Sequence, residues 1–219
     1  DGGDTWRQVH FVSDRAGFVD ITMHPDDPDV LMATSWERIR GPYFLQSGGP
    51  GSGIWKSTDG GENWARVEGN GLPETMLGRI GIDYAPSDGD YVYAIVEADA
   101  PSEDEERFSG LYRSTDGGET WDQGALGFGG DDHALWIDPA DSDHMILGYD
   151  HGMGVSWDGG ENWFHPDYMS LAQFYAVGYD MSHPYRVAGG LQDNGSVMAP
   201  HTNINGGDMP FEMWERVGG

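Results

Sequence analysis

An eight-residue pattern, S-x-D-G-G-x-x-W, occurs three times and constrains the fold more than any other feature of this sequence. The copies are STDGGENW at residues 57–64, STDGGETW at 114–121 and SWDGGENW at 156–163, and DGGDTW at 1–6 matches the end of a fourth. The tryptophans therefore stand about 42 to 58 residues apart. Intervals of that size, filled with strand-like sequence, are typical of propeller blades. The sequence predicts a chain of repeated β-sheet units.

Each copy has the composition of a tight turn between two strands. The Ser hydroxyl and the Asp carboxylate can accept hydrogen bonds from backbone N–H groups, and the glycines can take the positive φ that such turns need. The Trp ring is large enough to fill the space between stacked sheets. We interpret the motif as a structural clasp. The residues with these roles are Ser57, Asp59, Gly61, Trp64, Ser114, Asp116, Gly118, Trp121, Ser156, Asp158, Gly160 and Trp163.

A second pattern lies between the turns and consists of an apolar strand, a turn rich in Pro and Asp, and another apolar strand. It covers residues 19–36, 80–98, 134–150 and 175–191. Such runs predict hairpins. With the strands around each clasp they predict an all-β propeller portion of about four four-stranded antiparallel blades, starting near residues 18, 78, 134 and 174. We expect residues 1–219 to form one incomplete arc of a larger propeller, with residues 1–12 as the outer strand of a preceding blade.

The clasp pattern resembles the Asp-box, or BNR, repeat of β-propellers. Longer stretches, at residues 47–64, 78–98, 131–163 and 185–196, resemble sortilin-like bacterial exported proteins that are often labelled glycosyl hydrolases. The resemblance implies a propeller fold and an extracytoplasmic location, periplasmic or secreted. Because that family is functionally mixed, the fold by itself implies no reaction.

The chain is strongly acidic, with 38 Asp and Glu against 11 Lys and Arg and a formal net charge of −27. This charge repels phosphate backbones, so we expect no nucleic-acid partner. The acidity fits a solvated surface, with calcium-binding loops as the alternative. Cysteine is absent, the histidines lack zinc-site spacing, and no apolar run is long enough to cross a bilayer. We therefore expect no metal or cofactor, with Ca²⁺ as the one alternative.

The strongest catalytic candidates are Asp131, Asp132 and His133. Carboxylates beside an imidazole could act as acid and base in glycoside hydrolysis, which needs two carboxyl groups roughly 5 to 10 Å apart. Three adjacent residues do not establish that spacing. The structural alternative is that the two aspartates end a loop and the histidine points into the channel.

A second cluster follows a predicted strand and contains Gln192, Asp193 and Asn194. A carboxylate with two amides suits sugar hydroxyls or calcium. Because Asn-Gly is a common tight-turn sequence, a structural role is the alternative. In the resembling proteins this segment and the Asp-Asp-His segment both recur, which implies a shared site near the channel.

Residues 38–53 depart from the repeat, and loops held out by a scaffold are where binding sites usually lie. Their candidate binding residues are Arg38, Arg40, Tyr43 and Phe44. We expect a non-catalytic interaction or scaffold module that docks on other proteins, such as a membrane-bound assembly. The alternative is a glycoside hydrolase or glycan-binding propeller with Asp131, Asp132, His133 and Asp193 around the channel.

Overall fold

The computed structural model describes residues 2–99, 108–124, 132–149, 152–166, 173–192 and 195–218. The chain divides into two compact units, Asp1–Asp167 and Tyr168–Gly219. The described elements are β-strands and one short 3₁₀ helix, and the strands form four antiparallel sheets of three to five strands, two of them four-stranded. This confirms the predicted all-β fold class.

The first unit contains three antiparallel sheets, which we call blades 1, 2 and 3. Blade 1 has the order β1–β2–β4–β5, with β3 paired to β2; the other two follow chain order. The strands of blade 1 are β1 (Ala16–Met23), β2 (Leu31–Arg40), β3 (Leu45–Ser47), β4 (Gly53–Ser57) and β5 (Ala65–Val67). Those of blade 2 are β6 (Leu77–Ala85), β7 (Asp88–Ala98), β8 (Gly110–Ser114) and β9 (Asp122–Gln123). Those of blade 3 are β10 (Asp132–Asp138), β11 (Asp141–Tyr149) and β12 (Gly152–Ser156).

The second unit is one further four-stranded sheet, whose strands pair in chain order. They are β13 (Phe174–Tyr179), β14 (Arg186–Leu191), β15 (Ser196–Pro200) and β16 (Glu215–Gly218), with a 3₁₀ helix at Phe211–Met213. Its antiparallel pairs have a bulge at Phe174/Ala176 and another at Ser196/Val197. The turn before β14 is closed by Asp180, which accepts hydrogen bonds from the Arg186 backbone and side chain, both at 2.8 Å.

Blades 1 and 2 pack face to face along β6, whose buried residues recur at every second position over most of the strand. In β6, Ile80, Ile82 and Tyr84 are between 1% and 5% exposed and point towards blade 1. There they meet Met32 and Ile54, which belong to the same buried cluster. Blade 2 therefore buries one whole face of its innermost strand against its neighbour.

Polar contacts fix the register of this junction at the inner strands. The Ile82 N–H donates to the Asp20 carboxylate at 3.1 Å, and the Tyr84 N–H donates to the Thr22 hydroxyl at 3.3 Å. The buried Thr34 hydroxyl donates to the Ile80 carbonyl at 2.7 Å. Side chains of blade 1 thus satisfy backbone groups that the edge strand β6 would otherwise leave unpaired.

Blades 2 and 3 meet through a second buried cluster. Tyr93 and Leu111 of blade 2 pack with Ile137 and Met145 of blade 3, and all four are at most 4% exposed. The Arg113 guanidinium donates across the same junction to the Gly159 carbonyl at 3.1 Å. The same arrangement of apolar faces with a few polar ties therefore joins both pairs of blades.

The opposite face of blade 1 is exposed in this unit. Ile21 and Met23 occupy the β1 positions that correspond to Ile82 and Tyr84 in β6, counted from the proline of the following turn. They are 62% and 53% exposed. Residues 2–12, expected to be an outer strand, form no strand in this structure, although His10 packs against neighbouring aromatic rings of blade 1.

Candidate functional site

The two predicted catalytic clusters fall largely outside the described residues. Asp131, Asp193 and Asn194 are not described, and of Asp132 and His133 only the backbone in β10 is described. Gln192 is described: its N–H donates to the Gln173 carbonyl at 2.9 Å, and its side chain contacts the Tyr175 hydroxyl. A site shared by the two clusters remains a prediction.

The clasp turns use their polar groups internally. The Ser57 hydroxyl accepts the Gly61 N–H and donates to the Asp59 carboxylate, both at 2.9 Å. The same carboxylate accepts the Asn63 N–H at 2.9 Å and the Asn63 side-chain amide at 2.7 Å. The Trp64 indole N–H returns to the Gly61 carbonyl at 2.9 Å. The other two clasps repeat the serine contact, at 2.8 Å to Gly118 and 2.9 Å to Gly160.

These hydrogen bonds lower the pKa of each clasp aspartate. For Asp116 the side-chain hydrogen bond from Thr120 is the largest cause, followed by the Thr120 N–H and the Ser114 hydroxyl, and the pKa falls to about 2. For Asp59 and Asp158 the largest cause is the side-chain amide of the Asn at the equivalent position. The carboxylates are therefore ionised and held by their own turn, which leaves them poorly suited to proton transfer near neutral pH.

The predicted binding residues Arg38, Arg40, Tyr43 and Phe44 lie together on one projecting hairpin, residues 36–47, which we call the arm. Its two strands are the end of β2 and β3, and the turn closes by a Gly41 N–H donating to the Phe44 carbonyl at 2.9 Å. The exposed fractions of Tyr43, Phe44 and Leu45 are 99%, 58% and 55%. The tip is thus an exposed apolar group on a folded hairpin.

The two arginines of the arm lie on the same face. Arg38 and Arg40 are two residues apart in β2, so their side chains leave the same side of the strand. Leu45 is the cross-strand partner of Arg40 and shares that side. The Arg38 guanidinium lies over the Trp36 ring at 5.1 Å from its centroid, which restrains it by a cation–π contact.

The base of the arm is fastened to blade 2 by a chain of hydrogen bonds. The Trp36 indole N–H donates to the Ser47 hydroxyl at 2.9 Å, which donates to the Glu97 carboxylate at 2.8 Å. The same carboxylate accepts the Arg79 N–H at 2.7 Å. Because these bonds cross from blade 1 to blade 2, the arm has a fixed orientation on the scaffold.

A buried glutamate holds the loop that returns from the arm to β4. Glu37 is 6% exposed, accepts the Gly51 N–H at 2.9 Å and pairs with the Arg15 guanidinium at 3.1 Å. A Cβ at Gly49 would collide with the Glu37 carboxyl group. Sequence reasoning missed Trp36, Glu37 and Arg15; the glycine-rich run SGGPGSG was the available sign that a side chain approaches this backbone closely.

The local charge of the arm differs from that of the chain. No acidic residue occurs between Glu37 and Asp59, although the chain carries a net charge of −27. Among the described residues, no group of three or more His, Asp or Glu side chains could hold a metal ion. The described residues also contain no helix with the length and hydropathy needed to span a bilayer.

No protein-family model and no curated protein matches this sequence. The chain is similar to the GH74 enzyme of Niastella koreensis, at 17% identity and a TM-score of 0.48 over 84% of this chain and 29% of that one. It is similar to YCF48 from Cyanidioschyzon merolae, at 17% identity and a TM-score of 0.49 over 90% and 57%. It is also similar to a YCF48 bound to a D1 peptide, at 13% identity and a TM-score of 0.42 over 84% and 65%. The chain therefore spans less than two thirds of the length of each of these proteins.

Proposed function

We propose that this chain is a non-catalytic protein-interaction module that docks on another protein through the arm. The single observation that carries the proposal is the exposed Tyr43–Phe44–Leu45 tip beside Arg38 and Arg40, on a hairpin tied to two blades. Tyr and Arg are among the residue types most enriched at energetic centres of protein interfaces. An exposed tip of this composition has no evident role in holding the blades together.

The anchoring of the arm favours binding for a physical reason. Association costs the ordering of loops and long side chains at the interface. Here the tip lies on paired strands, its base is held through Ser47 and Glu97, and Arg38 is restrained over Trp36. The arm is therefore already largely ordered in the free protein. An apolar contact of a given size then gives a higher affinity than it would on a flexible loop.

We propose further that the chain belongs among the Asp-box, or BNR, propellers and works outside the cytoplasm. The support is the clasp pattern, which recurs with the same serine, aspartate and tryptophan hydrogen bonds in all three turns. Fractionation of the native host tests the location, since recovery of the protein with cytoplasmic markers would contradict it.

A photo-crosslinking experiment tests the docking function. A photoreactive phenylalanine analogue replaces Tyr43, and irradiation in the native host should give a discrete adduct whose partner is identified by mass spectrometry. The same analogue at Ile204, which is 72% exposed in the second unit, serves as the control. The purified partner should then bind the Tyr43→Ala, Phe44→Ala double variant about tenfold or more weakly, in keeping with the loss of an aromatic anchor. Equal adducts at both positions, or unchanged binding, would contradict the proposal.

The alternative function is a glycan-binding or glycoside-hydrolysing propeller. The observation that favours it is a set of exposed aromatic rings on blade 3, where Trp136 and Trp157 are 46% and 62% exposed and His144 stacks on Trp157 at 6.0 Å. Such rings can pack on sugar faces. Hydrolysis of a glycan panel by the purified chain, abolished by Asp132→Ala, would establish this alternative in place of the docking function.

A further inference from the structure

We propose that the segment bound by the arm is an extended, acidic stretch of protein with an apolar residue among its carboxylates. This inference rests on the proposed docking function and adds the chemistry of the partner. Three observations carry it: the pairing of the basic residues, the spacing of the two arm arginines, and the apolar tip next to them.

The first observation is that the arm keeps its arginines unpaired in a chain rich in acid. Most basic side chains of the described residues have a carboxylate partner within 4 Å. These pairs are Arg7–Glu62, Arg15–Glu37, Lys56–Glu119, Arg66–Glu68, Arg113–Glu161 and Arg186–Asp180. Within the described ranges, Arg38 and Arg40 form no such pair, and Arg79 and Arg216 form none either. Carboxylates of a partner protein would form with Arg38 and Arg40 the ion pairs that the chain's own carboxylates form with most other basic residues.

The second observation is the spacing of the two guanidinium groups. Residues two apart on one strand are separated by roughly 7 Å. An extended peptide repeats its side chains on one side at the same interval, so acidic residues at alternate positions can face Arg38 and Arg40 together. Arg donates to carboxylates through a planar fork, which gives geometric selectivity over an amide of the same shape.

The third observation is the apolar tip beside this charged face. Leu45 lies across from Arg40 on the same side of the hairpin, and Tyr43 and Phe44 precede it in the turn. An apolar side chain of the partner placed beyond its acidic residues would cover these groups and exclude water from the ion pairs. Burial of that kind increases the contribution of the ion pairs to affinity, because fully solvated ion pairs contribute little.

The negative net charge of the protein restricts the binding of an acidic peptide to the arm. Away from the arm, a surface carrying −27 repels acidic ligands. A peptide rich in Asp and Glu can therefore gain affinity only where the local charge is positive. The same argument predicts that added salt weakens the local attraction, because exposed ion pairs are screened within about 8 to 10 Å at physiological ionic strength.

The test uses a random dodecapeptide library displayed on phage, selected on the intact chain. We expect the wild type to enrich peptides with Asp or Glu at alternate positions and one large apolar residue. The Arg38→Gln, Arg40→Gln double variant should lose the acidic enrichment and bind a selected synthetic peptide about tenfold more weakly, the effect of removing two charge-assisted contacts. Arg216→Gln, which alters an exposed arginine of the second unit, is the matched control and should bind as the wild type does.

The outcomes separate this inference from the proposed function. Peptides selected without acidic preference, yet lost on Tyr43→Ala and Phe44→Ala, would overturn the acidic partner and leave protein docking intact. Selected peptides that bind the Tyr43→Ala, Phe44→Ala variant unchanged would overturn docking through the arm itself. Tighter binding of a fluorescent oligogalacturonate than of any selected peptide, dependent on Arg38 and Arg40, would show that the arm takes an acidic glycan and overturn the protein partner.

Discussion

Replacing Ser114 by Ala removes a hydroxyl that serves three hydrogen bonds in the second clasp. This hydroxyl accepts the Gly118 N–H at 2.8 Å and the Asp116 N–H at 3.3 Å, and it donates to the Asp116 carboxylate at 2.8 Å. Ser114 is 1% exposed. Water therefore cannot easily replace the lost acceptor, and the Gly118 N–H is left without a partner.

The expected loss of stability follows from these contacts. An orphaned buried N–H costs about 1 to 3 kcal/mol, and the lost hydrogen bond to a carboxylate adds to this, so we expect about 2 to 3 kcal/mol for Ser114→Ala. At a denaturant slope of about 2 kcal/mol per molar, the urea midpoint should fall by roughly 1 to 1.5 M. Thr115→Ala removes a hydroxyl from the next, exposed residue and should change stability by less than about 0.5 kcal/mol.

Urea unfolding followed by tryptophan fluorescence measures this difference, because the clasp residue Trp121 is 3% exposed and changes environment on unfolding. Hydrogen exchange of the Gly118 amide gives a local measure. If exchange proceeds through opening of the clasp, it should accelerate about thirtyfold for a loss of 2 kcal/mol. Equal midpoints for Ser114→Ala and Thr115→Ala, with unchanged Gly118 exchange, would refute the clasp as a source of stability.

Three further predictions concern the acid response, the junctions and the turns. Hydrogen bonds lower the pKa of Asp116 to about 2, so its contribution to stability is fully present above the unfolded pKa of about 4 and is lost as the pH falls through about 2. In the Asp116→Asn variant the urea midpoint should therefore vary less with pH over that range. A pH profile equal to that of the wild type would contradict this prediction. Leu111→Ala at the junction of blades 2 and 3 should lower the free energy of unfolding, measured in urea, by about 2 to 4 kcal/mol. Leu45→Ala on the exposed arm should lower it by less than about 0.5 kcal/mol. Similar losses for the two variants would show that the junction is not part of the hydrophobic core. Gly71→Ala combines a φ of +99° with a collision against a backbone carbonyl and should lower the free energy of unfolding by more than about 3 kcal/mol. Gly69→Ala has a φ of +66° and open space around it, so it should cost only about 1 kcal/mol of backbone strain. Comparable melting temperatures for the two variants would contradict the collision at Gly71.

Local pattern was enough to predict the strands and the clasps. The alternation in Ile80, Ile82 and Tyr84 has the period of a half-buried strand, and each Ser/Asp pair must bond the nearest backbone amides whatever the rest of the chain does. These are short-range consequences of chain geometry, so they can be read from a few neighbouring residues. The arm was also predicted as a place for binding residues, since it interrupts the repeat.

The tertiary structure decided which of these features meet. Hydrogen bonds link Trp36 through Ser47 to Glu97, and Ser47 and Glu97 are 50 residues apart in the sequence. No local pattern predicts such a partner. The burial of Glu37 beside Arg15, and the absence of a carboxylate partner for Arg38 and Arg40 within the described residues, likewise depend on how the strands are brought together. The sequence by itself thus determined strands, turns and an acidic surface. Only the packing of one blade on the next, driven by burial of their apolar faces, decided that a basic and aromatic hairpin would be held rigidly above that surface.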